Sequence, residues 1–157
     1  MMQFIEGLGI SYPLFMIEDP LEEDDFEGFA ELSRRLNTLI SGDDLFATDL
    51  ERLKRGSLLG SAKGVIFKPN MVGTLSEALD LASYAIEPGY FVIPSIRSGG
   101  DAEDPIPDIS VAVGGAFMKC GAPRSSERTA CQNRLLRIEE ELGESAKFYS
   151  FGMFNEQ

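Results

Sequence analysis

Histidine is absent from this sequence of 157 residues. Imidazole-based zinc sites and Ser-His-Asp triads are therefore excluded outright. Cysteine is scarce: Cys120 and Cys131 are the two present, too few for a disulfide framework. Bases are outnumbered, 14 against 26 acids, which leaves a net charge of −12. A surface of that sign repels nucleic acid and anionic lipid, so neither is an expected partner. No apolar run approaches the roughly 20 residues that cross a bilayer. The opening segment MMQFIEGLGISYP carries an acid and no base before Pro13, unlike a signal peptide. What is present suffices for one domain, because a hydrophobic content of 43% can bury a core. The expectation is a soluble, cytoplasmic, single globular domain over residues 1–157.

Five short apolar runs stand out: PLFMIE from Pro13, TLISGD from Thr38, VIFKPN from Val65, YFVIPS from Tyr90 and AFMKCG from Ala116. Their length and their Ile, Val and Phe suit buried strands. Their starts fall about 25 residues apart, roughly one βα unit with short loops. Helix patterns lie between them. Acids from Glu22 to Asp25 and bases at Arg34 and Arg35 suit the two ends of a helix dipole, and Phe26, Phe29, Ala30 and Leu36 can share a face. Thr48 and Glu51 read as a capping box opening a short helix to about Arg55, and Thr74 and Glu77 as another. After the second box, Leu75, Ala78, Leu79, Ala82, Ala85 and Ile86 keep helical spacing until Pro88 and Gly89 stop it. Pro105 and Pro107 precede a short helix from about Asp108. A last helix, about Ser126 to Leu142, aligns Cys131, Leu135, Ile138 and Leu142 and stops at Gly143.

Alternating β and α with buried strands implies a parallel sheet, either open or part of a barrel. The charged residues favour the barrel. Glu18 and Asp19 follow the first strand, Asp43 and Asp44 the second, Lys68 lies in the third, Arg97 follows the fourth, and Lys119 ends the fifth. A barrel brings all those ends to one mouth, whereas an open sheet converges only the ends beside its switch point.

Each group has an ordinary reading beside the chemical one. Acid pairs at strand ends are usually turns or helix caps, yet two pairs on adjacent strands can hold a hard cation such as Mg²⁺. A lysine inside Val65-Ile66-Phe67-Lys68 either snorkels to the strand end or serves as a general base tuned by burial and charge. Lys119 supplies such a charge and a place for an anion. Arg97-Ser98-Gly99-Gly100 suits phosphate, and a surface loop of that composition is equally ordinary. Cys120 and Cys131 read as packing residues, with no base beside them. The run Arg137 to Glu141 reads as a solvated helix face.

Taken in order, these segments resemble enolase from about Tyr12 to Gly143. The matching stretches are YPLFMIEDPLEEDDFEGF, SGDDLFATDLERL, VIFKPNMVGTLSEAL, RSGG, KCGAP and SERTACQNRLLRIEEELG. The resemblance implies a partial TIM-type (β/α) barrel of about five parallel units, the C-terminal part of that family's barrel domain. It implies Mg²⁺-dependent dehydration of 2-phosphoglycerate to phosphoenolpyruvate. In that reading Glu18 and Asp43 hold metal, Lys68 is the general base, Arg97 and Ser98 contact phosphate, and Lys119 contacts the substrate carboxylate. A lysine base working with Mg²⁺ is the pattern of the enolase superfamily at large.

Two residues depart from the family. Ile96 stands where the family has a histidine, which removes contacts or proton handling from that position. Gly100 stands where the family usually has glutamate. The resemblance also places the N-terminal capping domain, the first barrel strands, the third metal carboxylate and the glutamates that assist loss of water outside these residues. A barrel takes about 250 residues, so five strands leave two raw edges. The expected cover is a complementary N-terminal enolase half or a second copy in a homo-oligomer, with activity when that half is supplied. Two other readings are carried forward. One is a non-catalytic enolase-like protein that binds a partner or a phosphorylated ligand. The other is a receiver-like domain, which suits these acid pairs poorly because they follow the first and second strands.

Overall fold

The computed structural model describes residues 1–149. Four parallel strands, β1 (Met16–Glu18), β2 (Leu39–Gly42), β3 (Gly64–Phe67) and β4 (Phe91–Pro94), form one sheet in the order β1-β2-β3-β4. Helices separate them: α1 (Met2–Ser11), α2 (Phe26–Arg35), α3 (Leu50–Leu59), α4 (Leu75–Ile86), α5 (Ile106–Ala112) and α6 (Ser126–Leu142). Central β3 is buried along its whole length, while edge strand β1 is half-buried. That difference is what a covered parallel sheet produces. The fifth run makes a single parallel bridge, Ser95 to Lys119, closed by hydrogen bonds from Ile96 N to Lys119 O and from Lys119 N to Pro94 O. It has the direction of a fifth strand without its length.

The sheet curls. In a flat sheet the first and fifth strands lie about 19 Å apart at the usual interstrand spacing, further than two side chains reach. Here Phe15, just before β1, packs on Phe117 of the fifth run with ring centroids 5.4 Å apart, and Phe117 also meets Phe91 at 6.2 Å. At the other end of the same strands, Lys119 Nζ lies 2.6 Å from Glu18 Oε1. Both ends are drawn together, as barrel closure requires.

The helix ends follow their sequence signals in most cases. Asp25 accepts the Gly28 amide to start α2, and Thr74 accepts the Glu77 amide to start α4. The second connection differs: α3 is capped by Asp49, which accepts the Arg52 amide at 2.8 Å, and Thr48 is buried elsewhere. On α4 the core side is Ala78, Leu81, Ala82 and Ala85, so Leu75, Leu79 and Ile86 are exposed on the adjoining stripe. On α2, Leu32 joins Phe26, Phe29 and Ala30 inside, and Leu36 ends the helix at the edge of the core. α5 begins at Ile106, two residues before Asp108, with Pro107 in its first turn. It is tied to α6 by Arg134, whose guanidinium holds the Asp108 carboxyl below the usual carboxylate range. α1 has no counterpart in the sequence reading. Met2 and Ile5 rest against the core, and Glu6 bonds Arg35 of α2 at 2.8 Å. No helix among the described residues is long and apolar enough to cross a membrane.

Candidate active site

The C-terminal ends of the strands carry the charged residues singled out above, and the curl brings them together. Asp43, one residue past β2, accepts a hydrogen bond from Lys68 Nζ through Oδ2 at 2.6 Å. Lys119 donates to both oxygens of Glu18, at 2.6 and 2.7 Å, and its Nζ stands 4.0 Å from the same Oδ2 of Asp43. Two carboxylates and two ammonium groups from four strand ends thus form one chain of contacts. The Lys68–Asp43 pair is the more enclosed, with side chains 17% and 13% exposed. That burial distinguishes it from exposed ion pairs, which contribute little.

Asp43 has a second oxygen that matters more. Its Oδ1 is buried and accepts no hydrogen bond among the described residues. An orphaned acceptor of this kind costs about 1–3 kcal/mol, and a cation relieves it. A hard ion can take Oδ1 while Oδ2 keeps Lys68, so the ion pair and a metal do not compete for one atom. Glu18, half-buried on the neighbouring strand, accepts from Lys119 through both oxygens, each of which keeps a further lone pair for a cation. The donor set therefore fits Mg²⁺. Glu22, Glu23 and Asp24 also bring carboxylates close together, but they are exposed at the start of α2, where Glu22 accepts the Asp24 amide.

Two residues named in the sequence take supporting roles other than the expected ones, Asp19 as a backbone anchor and Thr48 as a tie between loops. Asp19 sits at φ 42° and spends both oxygens on backbone, accepting Asp43 N at 2.9 Å and Asp44 N at 2.8 Å. It fixes where the Asp43 carboxylate starts from. Asp19→Ala is expected to cost about 1.5–3 kcal/mol, the range for hydrogen bonds to a charged group, and to weaken Mg²⁺ binding. Asp19→Asn, which tolerates the left-handed backbone and retains one acceptor, should recover part of both. Urea unfolding and metal titration of the two variants check this. Thr48, at φ 51°, accepts the Lys68 amide at 3.0 Å and lies 3.5 Å from the Ile66 carbonyl. It locks the loop after β2 to the end of β3, and so sets Asp43 against Lys68.

Arg97 and Ser98 are exposed on the wall of a cavity of about 810 Å³ that Lys68 and Lys119 also line. The Gly100 amide donates to Arg97 O at 3.1 Å, closing a tight turn that presents Arg97. A Cβ at position 100 would stand 2.9 Å from Asp104 Oδ2, so glycine suits that turn. Ile96 lines the same cavity and is otherwise buried against Ile106 and Cys131, which makes that part of the wall apolar. Burial also pushes the Cys131 thiol up, which keeps it protonated and inert.

A family model described as the enolase C-terminal TIM barrel domain matches residues 1–156. The chain belongs to the enolase family. An enolase of Methanococcus aeolicus is 51% identical over 133 residues, covering 84% of this chain and 31% of that protein. The enolase of Methanosarcina barkeri is 48% identical over 149 residues, 94% of this chain and 35% of the relative. That of Methanocaldococcus jannaschii is 46% identical over 143 residues, 91% and 34% respectively. The chain spans about a third of the length of these curated relatives. Its parallel sheet with alternating helices is part of the enolase barrel, and the bent sheet described above is the arc of that barrel.

Proposed function

We propose that this chain supplies metal, base and anion groups of an enolase-type lyase that dehydrates 2-phosphoglycerate to phosphoenolpyruvate with Mg²⁺ in the cytoplasm. The observation that carries the reading is the meeting of Glu18, Asp43, Lys68 and Lys119 at one end of the parallel strands. In it Lys68 takes the proton α to the substrate carboxylate, and Lys119 binds that carboxylate. Arg97 and Ser98 bind the phosphate. Glu18 and Asp43 would hold Mg²⁺, which when bound supplies positive charge for the enolate-like transition state. Lys68 lies at the meeting of β3 with the cavity, so a substrate held by Arg97 and Lys119 lies within its reach.

Turnover requires more of the barrel than four paired strands and one bridged segment, because open parallel edges call for further strands beside them. Calorimetric titration of the chain with Mg²⁺ tests the metal reading without depending on turnover. Glu18→Gln and Asp43→Asn are each expected to weaken Mg²⁺ at least tenfold. Affinity unchanged in both variants removes these carboxylates from the site.

One observation favours a second reading, a non-catalytic enolase-like protein that binds a partner or a phosphorylated ligand. Ile96 puts an apolar side chain on the cavity wall at the position where the family resemblance calls for histidine. Binding of Mg²⁺ and phosphoenolpyruvate without turnover, in the presence of the completing half, selects this reading.

A further inference from the structure

Seven of the fourteen basic side chains of this acidic protein pair with carboxylates among the described residues. Arg35, Lys54, Arg55 and Arg134 pair with carboxylates on the helices, Arg52 with Asp24 in the loop before α2, and Lys68 and Lys119 with Asp43 and Glu18. Arg97, Arg124 and Arg128 have no carboxylate within ion-pair distance among the described residues, and all three line the cavity of about 810 Å³. Glu127 is the one carboxylate on that wall, and the hydroxyls of Ser125 and Ser126 donate to it. Because the two lysines are neutralised by their own acids, the net charge of the cavity comes from three guanidiniums against one carboxylate. Without Arg124 and Arg128 the cavity's unpaired guanidiniums and its carboxylate would stand one against one.

Geometry fixes one of these side chains as well as its charge. Gly121, two residues after Lys119, adopts φ 71°, and a Cβ there would stand 3.4 Å from both Cδ and Nε of Arg128. The Arg128 stem therefore lies along the turn that leaves Lys119, so less of its rotamer freedom remains to be lost when it binds. Planar guanidiniums match phosphate oxygens in pairs, and three from two consecutive connections can surround one such group. The surrounding charge of −12 sharpens the contrast, because it excludes anions from the rest of the surface.

We propose that Arg124 and Arg128 form a second arm of the anion site, gripping a phosphate monoester together with Arg97. This rests on the cavity being the substrate site and adds two residues to those assigned to it above. The test is calorimetric titration of the full chain with inorganic phosphate, without Mg²⁺, in moderate salt, and then with phosphoenolpyruvate. Arg124→Gln with Arg128→Gln is expected to weaken phosphate at least tenfold and phosphoenolpyruvate by a similar factor, with Mg²⁺ affinity unchanged. Arg124 is exposed, so the single Arg124→Gln variant remains informative if the double variant fails to fold; it should weaken phosphate about threefold if the pair contributes evenly. Wild-type chain that binds no phosphate, or a folded double variant that binds it as tightly as wild type, overturns the proposal. The Mg²⁺ titrations of Glu18→Gln and Asp43→Asn decide the metal reading separately, so each can fail alone.

Discussion

Phe46→Ala is expected to lower the stability of this chain by about 3–5 kcal/mol, the usual cost of emptying a large aromatic site. Phe46 is fully buried, and its ring meets Phe26 and Tyr90 edge-on with centroids 6.4 and 6.3 Å away. It occupies a slot shaped by two glycines. A Cβ at Gly56 of α3 would stand 2.4 Å from Phe46 Cε1, and one at Gly42 of β2 would stand 2.8 Å from Cδ2. Neither wall can close over the vacated volume without moving a backbone segment, so the upper part of the range applies. Small domains hold only about 5–15 kcal/mol in total. The consequence reaches the site, because Phe46 lies between Asp43 and Thr48 in one loop. Urea unfolding followed by circular dichroism gives the number. A loss below about 1 kcal/mol would mean that the loop collapses freely and that Asp43 is not anchored through this ring.

How much of this could be seen in the sequence differs from residue to residue, for identifiable reasons. The buried strands were visible because parallel strands covered on both faces read as plain apolar runs, and VIFK is buried through Phe67 with its lysine at the exit. Lys68, Asp43, Glu18 and Lys119 were legible as a set: each alone has an ordinary turn or snorkelling reading, but charge recurs at the ends of successive apolar runs. The Thr74 cap was legible because Thr three residues before Glu is a helix-start signal; here the Glu77 amide donates to Thr74 Oγ1 and the Thr74 hydroxyl donates to Glu77 Oε2. Thr48 obeyed the same pattern and went elsewhere. Asp49 takes the cap, which releases the Thr48 hydroxyl to Lys68, and local spacing carries no record of that competition. α1 was illegible because it buries none of its residues fully and has no acid in its first turn. The outward stripe of Leu75, Leu79 and Ile86 keeps the same period as the buried stripe beside it. Periodicity reports that a face exists, and only the sheet's position chooses between neighbouring faces. Arg124 and Arg128 belong to a loop and helix start whose composition looks like any cap. Their place in the cavity depends on the fifth segment curling back to β1.

On the proposed function, Lys68→Ala is expected to lower turnover of 2-phosphoglycerate by the completed barrel about 10²–10⁴-fold, the range for loss of a general base. That variant alone proves little, because it also strips the mostly buried Asp43 carboxylate of its 2.6 Å partner. Truncating one member of a buried pair costs about 3–5 kcal/mol when nothing replaces it. Lys119, 4.0 Å from the same oxygen, softens the loss here. Lys68→Arg separates the two effects. A guanidinium keeps the positive charge beside Asp43 but stays protonated at any ordinary pH, so it cannot accept a proton from carbon. Arginine should therefore restore most of the unfolding free energy that alanine loses, while turnover stays as low as in Lys68→Ala. Product absorbance measured for wild type, alanine and arginine at equal folded concentration makes the comparison. Turnover returning with arginine would show that position 68 needs a charge and no base, and the proton would have to leave by way of another residue.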